Sequence, residues 1–288
     1  MVYLGSKRKY VKDLVPIIQK KIEDENITVF IDCTCGGGNL TDKIDCKKVY
    51  GIDLSPTLIG LHKAAQEDFD KIPKEGSREL WDSNYSCYKK LISLLKVKKF
   101  SQLTKEDFDA IGKDKDKLYE IGAIEWYGSY SNGGFPRGFA KNTATRNYYN
   151  EAYRNHKAQS EEENYKKINF VCGDYEEEVT KILSNLEPED KVLIYMDMPY
   201  KDTKTYSISP KFDYYRAYEW IKKTSKVVPI FVSEQELTPE FDKFLIFEKE
   251  AKRTNGRDNN FKATEKLWLV DRRDEKWEVR QREKFMPI

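Results

Sequence analysis

Ten residues, Lys191–Tyr200 (KVLIYMDMPY), limit what this chain can fold into more than any other stretch. Val192–Met196 is an unbroken apolar run, the pattern of a strand buried on both faces of a parallel sheet. It stops at Asp197–Met198–Pro199–Tyr200, so a carboxylate, a proline of fixed φ and an aromatic ring share the strand's carboxyl end. Open α/β sheets bind their ligands at that end. Met198 precedes a proline, which biases it to extended backbone and leaves its carbonyl facing outward.

Such a strand needs neighbours. Thr28–Asp32 (TVFID) and Lys48–Asp53 (KVYGID) are short buried-strand patterns that also end in acids. Lys167–Cys172, Val227–Ser233, Phe244–Arg253 and Lys266–Val270 add four more, the last two flanking a turn at Asn255–Gly256. Lys7–Ile22 has helical apolar spacing, with Pro16 expected to kink or restart the helix.

After Asp32 comes Cys33–Thr34–Cys35–Gly36–Gly37–Gly38–Asn39, with a helix expected to start near Thr41–Asp42. Consecutive glycines let a ligand approach the main chain. The dinucleotide fingerprint fits Gly36 and Gly38 but fails at Thr41, and Asp32 would repel a pyrophosphate. The acid suits the amino group of a methionine-type ligand instead. Asp53 ends the second strand, where a carboxylate accepts from ribose hydroxyls. Ser55–Pro56 supplies the cap of the next helix, which frees Asp53 for that task. Cys33 and Cys35 point to opposite sides if extended, and both read as packing residues.

Between Thr57 and about Tyr165 the strand–helix rhythm stops. Pro56–Phe69 and Glu79–Leu95 read as helices, and Thr104–Asp107 resembles a capping box before a third. A span of this length is too long for a crossover and reads as an inserted helical region. Residues 126–157 hold Arg137, Lys141, Arg146, Arg154 and Lys157 against one acid, Glu151. Trp126, Tyr127, Tyr130, Phe135, Phe139, Tyr148, Tyr149 and Tyr153 are interleaved. Local positive charge, stacking rings and a glycine loop are the pattern of nucleic-acid contact; a solvated loop over a packed tyrosine-rich helix is the structural alternative. His62 and His156 fall in polar helical settings and read as surface residues.

Composition narrows the class. The net charge is only +2, so any nucleic-acid surface has to be local. Five cysteines without a C-x-x-C pair, and two histidines, argue against zinc and for reduced thiols. There is no stretch of membrane-spanning length, and Met1 leads into a basic segment, so a cytoplasmic location is expected.

Four motifs, in this order, resemble those of the Dam-type (α-order, D12 class) N6-adenine DNA methyltransferases. Tyr3–Leu4–Gly5–Ser6–Lys7 is similar to the opening aromatic-x-Gly-(Gly/Ser)-Lys motif. Asp32, Gly36 and Gly38 match D-P-F-x-G-x-G, with Cys33 and Thr34 in place of Pro and Phe. Gly173–Asp174–Tyr175 matches the Gly-Asp-(Tyr/Phe) that faces the cofactor's adenine, and it also reads as a helix cap. Asp197–Tyr200 matches D/N/S-P-P-Y, with Met198 for the first proline.

The resemblance implies an α/β, Rossmann-like S-adenosylmethionine-dependent methyltransferase sheet. Residues 1–60 and 165–288 would form the catalytic domain, and 61–164 an inserted, mainly helical target-recognition region. It assigns Tyr3, Lys7, Asp32, Gly36, Gly38, Asp174 and Tyr175 to the cofactor, beside Asp53 from its strand tip, and Asp197, Met198, Pro199 and Tyr200 to catalysis. Arg137, Lys141 and Arg146 would contact double-stranded DNA. A companion restriction endonuclease is a partner the resemblance admits, and no metal is required. Cytosine N4 and RNA adenine remain alternative target amines. A silent DNA-binding or regulatory module on the same fold is the alternative that Met198 raises.

Overall fold

The acid-tipped apolar runs lie side by side in one sheet. The computed structural model describes residues 1, 6–142, 146–199, 212–251 and 263–274. Five parallel strands, β1 (Val29–Asp32), β2 (Lys48–Asp53), β3 (Ile168–Cys172), β4 (Val192–Asp197) and β5 (Ile230–Glu234), are followed by β6 (Leu245–Ala251) and β7 (Ala263–Val270). The order is β3-β2-β1-β4-β5-β7-β6, and β7 runs antiparallel to both of its neighbours. This is the Rossmann-like methyltransferase sheet with an antiparallel end. Its strand order reverses between β1 and β4, where Asp32 is registered against Tyr195. A crevice therefore opens beyond Asp32 and Asp197.

Period-2 alternation explains the two layers. Phe30, Leu193 and Tyr195 enter one core, and Val29, Ile31, Val192, Ile194 and Met196 the other. The first core is covered by α1 (Val11–Glu25), α2 (Pro56–Glu67), α3 (Arg78–Leu95), α4 (Lys105–Ile111), α5 (Leu118–Gly128), α6 (Tyr148–Ser160) and α7 (Glu163–Lys166). The second is covered by α8 (Tyr175–Ser184) and α9 (Tyr214–Thr224). Cys35 packs into the first core and Cys33 into the second, so they point to opposite sides. Helices α2–α7 thus extend the sheet's own core.

The structure departs from the sequence expectations at several points. α1 runs unbroken through Pro16, after a 3-10 turn at Lys7–Lys9. Pro16 lies on the exposed face, where water can reach the Lys12 carbonyl that loses its partner. The helix expected near Thr41–Asp42 is a single 3-10 turn, Thr41–Lys43. Too few residues separate Gly38 from β2 for a helix and its return. Instead Gln19 of α1 exchanges two hydrogen bonds with Asp45, each 3.1 Å, and Gln159 of α6 reaches the Gly37 carbonyl. The turn Asn255–Gly256 lies outside the described residues.

His62 and His156 are not surface residues; both are 0% exposed. Every ring nitrogen of the pair has a hydrogen-bond partner, which removes the penalty of burying them. The aromatics of 126–157 are also largely structural. Trp126, Tyr127, Phe135 and Tyr149 are buried in the first core, whereas Tyr130 is 58% exposed.

Helix α5 crosses α2 in close contact at Gly122. A Cβ on Gly122 would lie 2.2 Å from the Thr57 carbonyl oxygen, so only hydrogen fits there. Gly122→Ala is therefore expected to destabilise the protein by about 1–3 kcal/mol, the usual cost of overpacking. Urea unfolding of the variant beside the parent protein measures it, with a shift in midpoint at constant slope as the expected result.

Candidate active site

The glycine turn is built from conformations that side chains resist. Gly36 has φ 49° and Gly38 φ 68°. The turn folds back on the sheet through Cys35 N–H to Ile52 O (2.9 Å) and Gly38 N–H to Cys35 O (2.8 Å). Asp32 is buried at its base and accepts from the Thr34 N–H (3.1 Å) and the Thr41 hydroxyl. Burial pushes its carboxyl up to about 7, against those two hydrogen bonds. Asp32 therefore latches both ends of the turn. Asp53 is half-buried and accepts from Ser55 N–H at 2.8 Å and Gly36 N–H at 3.2 Å. Burial pushes it up to about 6. Ser55 does cap α2, accepting from Leu58 N–H at 3.2 Å.

Asp197 sits across the crevice. Its N–H donates to Thr34 Oγ1 (2.8 Å), which ties the β4 tip to the glycine turn. Lys7 Nζ lies 3.0 Å from Asp197 Oδ1 and 2.9 Å from Glu265 Oε1 of β7. The Lys7 and Glu265 side chains are buried, and that of Asp197 is 21% exposed. Burial raises the Asp197 carboxyl to about 6; Lys7 opposes the rise and Glu265 adds to it. The Ser233 hydroxyl donates to Glu265. Glu234, next along β5, is buried with Oε1 accepting from Gln235 N–H (2.8 Å). Its Oε2 finds no hydrogen-bond partner among the described residues, and burial drives it up to about 8. Sequence reasoning missed Glu265 and Glu234. The available signal was a charge beside an apolar strand at each position.

Asp174 caps α8, accepting from Glu176 N–H at 3.1 Å, as its second reading required. It also receives both terminal nitrogens of Arg216, at 2.9 and 2.6 Å. Arg216 projects from α9, lies 5.2 Å from the Tyr175 ring centroid and was not foreseen. Tyr175 packs edge-on against Trp220. The Met198 side chain is buried in the second core, and the Pro199 carbonyl accepts from the Tyr214 hydroxyl at 2.5 Å. Tyr3 and Tyr200 lie outside the described residues.

Arg137 and Lys141 are exposed on the insertion. Arg146 is exposed too, but it forms a forked pair with Glu151, at 2.7 and 3.0 Å, and covers the Tyr148 ring. Solvent screens that pair, so a phosphate can displace the carboxylate.

The profile of the D12 class N6 adenine-specific DNA methyltransferases matches residues 3–228. The chain belongs to that family. No curated protein matches it. Among solved structures it is similar to the rRNA methyltransferase AviRa of Streptomyces viridochromogenes, at 12% identity. That match covers 92% of this chain and 86% of the other, with a TM-score of 0.38. A second structure of AviRa gives 12% identity, coverages of 87% and 79%, and a TM-score of 0.34. In this D12-class chain the matched residues include Lys7 and Asp197 but end before Ser233, Glu234 and Glu265.

Lys7→Met would remove the cation that lies between Asp197 and Glu265. Breaking a buried ion pair on one side costs about 3 kcal/mol or more. The pH dependence separates this from lost packing. Asp197 already titrates above its unfolded value, so its ionisation opposes folding as pH rises from about 4 through about 6. Without Lys7 that window moves up. The destabilisation is therefore expected to be large at neutral pH and to shrink on acidification, as read by denaturant midpoints across the range.

Proposed function

We propose that this methyltransferase uses S-adenosylmethionine to methylate N6 of an adenine flipped out of duplex DNA, at specific sites. The observation that carries the reading is Asp197 at the tip of β4, beside the strand-order switch, with one oxygen held by Lys7. The neighbouring donor set fits the methyl donor. Two left-handed glycines open the main chain, Asp32 stands beneath them, and Asp53 at the next strand tip suits ribose hydroxyls. Acids at both strand ends suit a cationic amino-acid moiety and disfavour a pyrophosphate.

The chemistry follows from the amine. An exocyclic purine nitrogen is a poor nucleophile because its lone pair is delocalised into the ring. When bound, S-adenosylmethionine supplies an electrophilic methyl group on a sulfonium. Asp197 would accept one N–H of the amine on Oδ2, and the Met198 carbonyl the other. Both bonds draw the nitrogen toward tetrahedral geometry and restore its lone pair. They strengthen as positive charge develops, so they favour the transition state over the ground state. The departing proton passes to Asp197 or to water. Lys7 keeps the carboxylate oriented and ionised at neutral pH. Tyr200 would stack on the extruded base.

Asp197→Ala should reduce transfer below about a tenth of the parent rate while S-adenosylmethionine still binds. Radiolabel transfer to duplex DNA, with RNA as control, measures the first part, and calorimetry the second. Label on cytosine or RNA alone would reassign the substrate, and a fully active variant would remove Asp197 from the chemistry. The parent enzyme at saturating substrates should lose about tenfold in rate per pH unit below about 6, where Asp197 takes up a proton.

Lys141 and Arg146 stand in the region of local positive charge. Lys141→Ala and Arg146→Ala should each weaken DNA binding and reduce the salt slope of log K by about 1. Fluorescence anisotropy over a salt series reads this, and an unchanged slope places the DNA surface elsewhere.

A further inference from the structure

The only two histidines of the chain lie in a single file of hydrogen bonds. Tyr127 Oη is 2.5 Å from His156 Nδ1, and His156 Nε2 is 2.8 Å from Tyr165 Oη. Tyr165 Oη is also 2.8 Å from His62 Nδ1, and His62 Nε2 is 2.8 Å from the Gly36 carbonyl. The file begins on α5 in the insertion, passes through α6, α7 and α2, and ends on the glycine turn.

One end fixes the direction of every bond. A carbonyl oxygen can only accept, so His62 Nε2 carries hydrogen. Burial holds His62 down to about 3, so its ring is neutral and Nδ1 is bare. Tyr165 then donates to Nδ1 and must accept from His156 Nε2–H. Burial keeps His156 neutral as well, so its Nδ1 receives the Tyr127 hydroxyl hydrogen. Every donor and acceptor is used once, and both rings are fixed as the same tautomer. The ionisable groups around the file are Cys35 and Asp42 near Tyr165, Tyr149 and Tyr153 near Tyr127, and the Met1 amine near both imidazoles.

A second contact runs alongside. Gln159 of α6 donates to the Gly37 carbonyl at 3.1 Å. The buried face of α6 therefore secures two successive carbonyls of the glycine turn, one directly and one through the file. The opposite face of the same helix presents Arg154 and Lys157 to solvent.

We propose that His62, Tyr165, His156 and Tyr127, with Gln159, are positioning residues through which the basic helix α6 sets the glycine turn, so that cofactor affinity is controlled from the nucleic-acid side of the molecule. The proposal rests on the reading of the turn as the S-adenosylmethionine site. None of the four file residues needs to touch the cofactor. Gly36 donates to Asp53, so a displaced Gly36 carbonyl also disturbs the acid assigned to the ribose.

The imidazole 15N spectrum of the full chain tests the wiring directly, because there are only two rings to assign. Both should show hydrogen on Nε2 and a bare Nδ1, unchanged from about pH 8 to about pH 5.5. A ring with hydrogen on Nδ1, or one that titrates in that range, overturns the file. Tyr127→Phe keeps the ring and removes the first donor. It should shift the His156 Nδ1 signal and weaken S-adenosylmethionine binding by about fivefold or more, with kcat at saturating substrates within about twofold. Tyr165→Phe and Gln159→Ala give the same reading if that variant does not fold. Unchanged affinity in a folded Tyr165→Phe protein whose histidine signals have moved overturns the positioning role. A parent chain that binds no S-adenosylmethionine overturns the proposed function and the cofactor half of this inference, while the spectrum still decides the wiring.

Discussion

A buried cation between two carboxylates organises the carboxyl end of the sheet. Lys7 stands within 3.0 Å of Asp197 on β4 and of Glu265 on β7. Taking these charges out of water is costly, so each has to find its partner in the fold. The consequence is a clamp of three parts of the chain that are remote in sequence: the segment before α1, the central strand, and the last strand. Asp197 is also tied through its backbone to Thr34 on the glycine turn. Asp197 is thus fixed from both sides of the crevice. Its ionisation depends on a residue from the opposite end of the chain.

The glycine-turn side of the crevice is organised by polarity of another kind. Here the imidazoles are neutral, and Asp32, Asp53 and the imidazole file each close hydrogen bonds to the turn. Asp32 latches the turn from below, Asp53 holds Gly36 N–H from the side, and the imidazole file holds the Gly36 carbonyl from the insertion. A half-satisfied network of this sort would be worse than an apolar one. Its completeness accounts for two fully buried histidines in a region that looks solvent-facing in sequence.

The sheet was legible because its code is short-range. Apolar runs ended by Asp32, Asp53 and Asp197 mark strands, carboxyl ends and site together, and the cap at Ser55–Pro56 left Asp53 for the crevice. Long-range features were not legible. Nothing adjacent to His62 or His156 announces Tyr165. The pairing of Asp174 with Arg216 joins the start of α8 to α9, 42 residues apart in sequence. Glu265 looks like one more charge in a charged chain until β7 takes its place beside β5. The aromatics of 126–157 misled for a related reason. Composition reports that rings are present, whereas only packing decides which enter the core, as Trp126 and Tyr149 do, and which face outward, as Tyr130 does.

Met198 shows how one constraint can replace another. A proline at that position would stiffen the segment after β4 by its ring alone, in any state of the chain. Here the stiffening comes from elsewhere: the Met198 side chain is buried in the second core, and Tyr214 of α9 holds the next carbonyl. A ring constraint is local and permanent, while an anchored side chain works only as long as its socket exists. The geometry of the turn is therefore inherited from α9 and the layer beneath it. On warming, the Met198–Pro199 segment would loosen with the fraying of that helix, ahead of the melting of the central strands.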